Sequence, residues 1–138
     1  MKNVLMMILL LAGIETQAGD NQGRLVVKVT NLGDLKGQVM VGLFDKEDNF
    51  LKEPIKGISA KATAEGQELV FENLPYGDYA VSVIHDENEN GELDTFLVIP
   101  TEPYGFSNNA MGNFGPPSFE QTKISFKKDT SIEIKLNR

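Results

Sequence analysis

From Leu25 onward the chain sets an apolar side chain at every second position in segment after segment, and this period of two limits the fold more than any other feature. Leu25, Val27 and Val29 share one face, opposite Arg24, Lys28 and Thr30. Val39, Val41 and Leu43 repeat the pattern after the turn residues Gly33 to Gly37. Leu69 with Phe71, then Tyr79, Val81 and Val83, and finally Ile132, Ile134 and Leu136 continue it. Successive side chains of an extended chain point to opposite sides, so each segment reads as a strand with one buried face. Ile55 to Ala64 and Thr122 to Phe126 are weaker strand candidates. Asp45 to Glu53 has room for a helical turn or two before Pro54 ends it. Six to seven short strands spaced by turn signals predict an all-β domain, a single antiparallel two-sheet sandwich of immunoglobulin-like kind with one long ordered loop.

The first residues read differently. Lys2 is followed by an apolar run from Val4 to Ile14 and by the small-residue pattern Thr16-Gln17-Ala18. This predicts a signal peptide over residues 1–18, a β-sandwich domain over 19–138, and an exported product, periplasmic or secreted. The run is shorter than the roughly 20 apolar residues of a membrane span, so the mature chain is expected to carry no transmembrane segment. There is no cysteine, which removes disulfides, thiol chemistry and a lipid-bearing cysteine. The net charge of −7 comes without a basic cluster, which argues against nucleic acid or anionic lipid as partner.

Two stretches fall outside the alternating pattern. From Asp86 to Gln121 little alternates apart from Phe96 to Ile99, a length far beyond the usual loop of about 4–6 residues. It opens with HDENENGELD, His85 to Asp94, which holds five acidic side chains and no lysine or arginine. Aligned to the oxygen-ligand loop D-x-[DN]-x-[DN]-G, the matching positions are Asp86, Asn88, Asn90 and Gly91. Glu92 would offer its backbone carbonyl and Asp94 would sit at the ninth position. Hard oxygen donors suit Ca²⁺, and the absence of cysteine and of a second histidine disfavours zinc or copper. Leu97 stands where the bidentate glutamate of a helix-loop-helix site would be, and the flanks read as strands. Further ligands would therefore come from Glu89, Glu102 or carbonyls, at an affinity of about 10⁻⁴ to 10⁻³ M. The other reading is a solvated type I′ hairpin turn at Asn90-Gly91. His85, in phase with Tyr79, Val81 and Val83, is expected to cap the core face and to donate a hydrogen bond to a loop carboxylate.

The second stretch, PTEPYGFSNNAMGNFGPPSF from Pro100 to Phe119, interleaves aromatics with glycine, asparagine and proline. Its aromatics have surface to bury, so it reads as a compact loop on one end of the sandwich and not as a linker. Either the aromatics only anchor it, or Tyr104, Phe106, Asn108 and Asn109 form a ligand face suited to a sugar or an extended peptide.

These motifs carry a resemblance. The turn Leu74-Pro75-Tyr76-Gly77-Asp78-Tyr79-Ala80, the loop from His85 to Asp94 and the segment from Pro100 to Phe119 together resemble an exported bacterial family known as domain of unknown function 2141. The likeness runs from Leu25 to Leu136, with Val98 and Pro103 where the family has glycine and one residue missing before Phe96. It implies export and an all-β fold, and no activity. The strand entry is also similar to transthyretin-like and collagen-adhesin modules, a looser likeness that bears on the fold alone.

The sequence thus points to a non-enzymatic, exported binding or adhesion-type module with a Ca²⁺-ordered loop, its partner a glycan, an envelope component or another protein. A purely structural envelope accessory is the alternative. A hydrolase would have to recruit Asp86, Glu87 or Glu89 as acid and base, or Ser107 or Ser118 as nucleophile, with His85 the only histidine and neither a phosphate loop nor a hydrolase elbow in the chain.

Overall fold

The computed structural model describes residues 21–91, 95–96 and 99–137, so the expected signal segment lies outside the described residues. One sheet is built from β1 (Gln22–Thr30), β4 (Gln67–Pro75) and β10 (Thr130–Lys135), in the order β10-β1-β4. The other contains β2 (Gln38–Phe44), β3 (Lys56–Lys61), β5 (Gly77–Asp86), β8 (Tyr104–Phe106) and β9 (Ile124–Phe126). Its order is β3-β2-β5-β8, with β9 also on β5. A two-residue pairing of β6 (Thr95–Phe96) with β7 (Ile99–Pro100) stands apart. The two sheets pack face to face as a sandwich. All pairs are antiparallel except β1 with β10, which run parallel, Val27 opposite Ile132.

All seven expected strands form, and the two sheets hold eight among the described residues, not six to seven. The added strand is β8. Three residues are too few to show a period, and its two aromatics belong to a segment that reads as loop.

The inner faces are the residues that the alternation singles out. Leu25, Val27 and Val29 lie opposite Phe71 and Leu69, and Val39, Val41 and Leu43 lie beside His85, Val83 and Val81. All are buried in one cluster with Phe126, Ile134 and Leu136, His85 excepted as a polar member of the same face. Each large side chain so enclosed stabilises the fold by about 1.5–3 kcal/mol.

The outer face of the larger sheet has a second, smaller cluster. Phe44 and Ala80, neighbours across β2 and β5, are covered by Phe119 and by Phe50. Phe50 meets the Phe44 ring edge-on at 5.5 Å and Phe119 at 5.9 Å. Phe50 follows a single 3₁₀ turn, Glu47–Asn49, the short helical element expected before Pro54. Phe119 opens α1 (Phe119–Thr122), a single turn with a complete capping box. Ser118 Oγ accepts from the Gln121 N–H, and the Gln121 side chain accepts from the Ser118 N–H.

One long strand organises everything that follows. The first half of β5 pairs with β9, Gly77 to Tyr79 opposite Phe126 to Ile124, and its second half pairs with β8, Ser82 to Ile84 opposite Phe106 to Tyr104. Between these two partners no strand among the described residues lies beside Val81 on that edge.

Candidate functional site

Both candidate loops hang from β5. The acidic loop leaves its last residue. Asp86 is fully buried, and its carboxylate is held from several sides. Gln38 Nε2 donates to Oδ2 at 2.8 Å, the Gly91 N–H donates to Oδ2 at 2.7 Å, and the Asn90 N–H donates to Oδ1 at 3.1 Å. Burial alone pushes the Asp86 carboxyl up, but the bonds from Gln38, Gly91, Asn90 and Glu89 outweigh it and hold the group below the ordinary aspartate value. The Asn90 N–H is shared with Asn88 Oδ1 at 3.2 Å. Glu102, also buried, accepts the Glu87 N–H at 2.7 Å. The turn between β1 and β2 closes against this loop at Gly37. A side chain there would overlap the Asp86 carbonyl oxygen at 2.3 Å, and the backbone is left-handed, φ 69°.

The arrangement bears on both readings of the acidic loop. Positive φ falls on Glu89 (55°) and Gly91 (80°), whereas a type I′ turn at Asn90-Gly91 would need it on both members of that pair. Asp86, Asn88 and Glu102 do come together at one loop. Glu92 and Asp94, the other expected ligands, lie outside the described residues. Among the described residues there is no group of three or more His, Cys, Asp or Glu side chains able to hold a metal ion.

His85 is fully buried on the core face, as its phase requires. Its partner is not a loop carboxylate. Nε2 lies 2.7 Å from the Lys36 carbonyl oxygen, which can only accept, so Nε2 donates. Nδ1 is buried and has no hydrogen-bond partner among the described residues. The ring therefore ties β5 to the β1–β2 turn.

The second loop is stitched to the body at three places. Ser107 fills the gap on the β5 edge: its Oγ accepts the Val81 N–H at 2.9 Å and donates to the Thr122 carbonyl at 2.6 Å. Asn108, with φ 62°, donates through Nδ2 to the carbonyls of Gln121 (3.1 Å) and Lys123 (2.9 Å). Asn109, φ 49°, accepts the Lys135 N–H from β10 at 2.9 Å. Tyr104 adds a backbone bridge to Asn137, joining the two sheets along this side. Phe106 is buried, its ring 5.9 Å from Tyr104 and 6.5 Å from Phe50. The four expected ligand-face residues are thus parts of the attachment.

What this loop turns outward is different. Phe114 is fully exposed, at 105%, and Met111 is 52% exposed. Neither residue stands out by the alternation of the sequence. A signal was available: Gly112, Asn113, Gly115 and Pro116 around them favour a tight turn, which leaves no neighbouring strand to cover a ring.

Residues 27–134 match the family described as an uncharacterized protein conserved in bacteria, domain of unknown function 2141. The chain belongs to that family. The span matched by domain 2141 runs from within β1 to within β10 and takes in both loops. No curated protein and no solved structure matches the chain, and the likeness to transthyretin-like modules is not supported by any comparison. Among the described residues of this domain 2141 protein, no helix is long and apolar enough to cross a membrane. The hydroxyls that a hydrolase would recruit have other partners here. Ser107 is enclosed between β5 and α1, and Ser118 caps α1. His85 stands four positions beyond Val81 along β5, about 13 Å at the rise of a strand.

Proposed function

We propose that this domain 2141 protein is an exported, non-catalytic binding module. Its sandwich is a frame for one preformed loop that is uncharged from Pro103 to Phe119, on a chain of net charge −7. The observation that carries the reading is the full exposure of Phe114 on a loop that Ser107, Asn108 and Asn109 tie to the body. A ring left in water by a loop held this firmly is an anchor arranged before its partner arrives, and prior ordering lowers the cost of association. Support for export comes from the pattern of residues 1–18 and from what the family resemblance implies.

The test is cosedimentation of the purified protein with isolated envelope fractions, membranes and peptidoglycan taken separately. Wild-type protein sediments with one of them, and Phe114→Ser stays in solution with an unchanged melting temperature. If neither fraction retains the wild type, the binding reading fails. If Phe114→Ser sediments like the wild type, binding uses another face.

A second reading adds a calcium ion at the acidic loop. Its support is the convergence of Asp86 Oδ1 and Asn88 Oδ1 on one N–H, with Glu102 at the loop's base. Millimolar Ca²⁺ would then raise the melting temperature in wild type and not in Asn88→Ala. Equal melting in calcium and in chelator would remove the ion and leave the hydrogen-bonded loop as it is.

A further inference from the structure

We propose that the turn from Ala110 to Pro116 is a lipid-facing tip that inserts Phe114 and Met111 into the apolar layer of a zwitterionic bilayer. This rests on the binding reading above and names the chemistry of its partner.

The tip is compact. A side chain at Gly112 would lie 2.0 Å from the Gly115 carbonyl oxygen and 2.6 Å from that of Pro116, so the two arms of the turn meet backbone to backbone. Phe114 and Met111 therefore project from one small, closed knuckle. The knuckle is also uncharged. From Pro103 to Phe119 there is no Asp, Glu, Lys, Arg or His, although the chain as a whole carries −7. A surface of this kind can leave water for hydrocarbon without stripping solvent from a charge.

The polar groups decide between ligand classes. Recognition of a sugar or an extended peptide needs amides free to exchange hydrogen bonds with it. Here the Asn108 amide donates to Gln121 and Lys123, and the Asn109 carbonyl accepts from Lys135. On the tip itself Met111, Asn113 and Phe114 are exposed, a single amide beside two apolar side chains and too little polar chemistry to read a sugar or a peptide backbone. The acidic body sets the lipid preference, because it is repelled by anionic headgroups and indifferent to zwitterionic ones. Two side chains make a smaller anchor than a single acyl chain, which binds at about 10⁴ M⁻¹, so binding is reversible and weaker than that.

The chain has no tryptophan, which makes Phe114→Trp a lone reporter. In buffer its emission should be that of an exposed indole, freely quenched by acrylamide. Phosphatidylcholine vesicles should shift the emission to shorter wavelength and shield it from the quencher. Phosphatidylglycerol vesicles should bind about tenfold less at low salt, with the gap closing as salt rises. Phe114→Ser should lose at least about tenfold in vesicle cosedimentation. An indole exposed in buffer but unmoved by phosphatidylcholine overturns the lipid assignment in favour of a pocket on a partner protein, and leaves the binding reading intact. An indole already shielded in buffer overturns both.

Discussion

The acidic loop and the aromatic loop are both fixed to strand β5 and are built in opposite senses. In the first, the residue with the most conspicuous chemistry, Asp86, is turned inward, and three donors from backbone and Gln38 neutralise its need for partners. In the second, the conspicuous asparagines are turned inward and a plain phenylalanine is turned out. The difference teaches that a polar side chain in a long loop often replaces a missing ladder partner. Backbone groups away from a sheet must still be paired, and Ser, Asn and Asp are the residues that do it. Asp86, Ser107, Asn108 and Asn109 are accounted for by this need. The exposed Phe114 is not.

The largest effect that would sharpen the contrast is at Asp86. Asp86→Ala leaves the Gly91 N–H and the Gln38 amide without their acceptor and the Asn90 N–H with Asn88 alone, and should cost about 3 kcal/mol in urea unfolding. Asp86→Asn, which keeps an acceptor oxygen, should cost less. The same carboxylate gives a pH signature. Its folded-state value is depressed, so the stabilisation is complete above the unfolded aspartate value near 4 and is lost as pH falls through the folded value. A midpoint that stays flat from pH 6 to about pH 3 would deny the carboxylate this role.

At the other loop the effects should be smaller. Ser107→Ala removes the plug on the β5 edge and should cost about 1–2 kcal/mol, read by the same unfolding midpoint. Asn108→Ala loses two hydrogen bonds and places alanine at φ 62°, for about 1–2 kcal/mol; Asn108→Gly should recover the part due to the backbone. The smallest change in stability belongs to Phe114→Ser, within about 0.5 kcal/mol of wild type. A larger loss would mean that the ring is packed, and the contrast between the loops would collapse.

At the alkaline end burial, with the nearby Asp45 charge, pushes the Tyr79 hydroxyl up; it donates to the Pro75 carbonyl at 2.5 Å. The unfolded chain ionises first, so stability should fall above about pH 10.

The frame was legible because burial imposes a period of two that no loop shares. Leu25, Val27 and Val29, or Val39, Val41 and Leu43, could face only one way. Strand β8 was not legible, since Tyr104 to Phe106 is a strand only through its register with Ile84 to Ser82. Turn α1 was legible in principle from Ser118 and Gln121, spaced as a capping box. The site was read less well for a physical reason. The amides of Asn108 and Asn109 suit a ligand, but the nearest groups for them to bind are the carbonyls and N–H groups of their own chain. The same holds for His85, whose nearest acceptor was the Lys36 carbonyl.

The most direct test is amide hydrogen exchange at Val81, Gln121 and Lys135. Each donates its N–H to a side chain of the aromatic loop, to Ser107, Ser118 and Asn109. If that loop is a fixed presenter, all three amides exchange well below free-peptide rates without partner or calcium, and Val81 is as slow as its neighbours in β5. Exchange at free-peptide rates would mean that the loop is not pinned, and that nothing holds Phe114 in place for a partner to find.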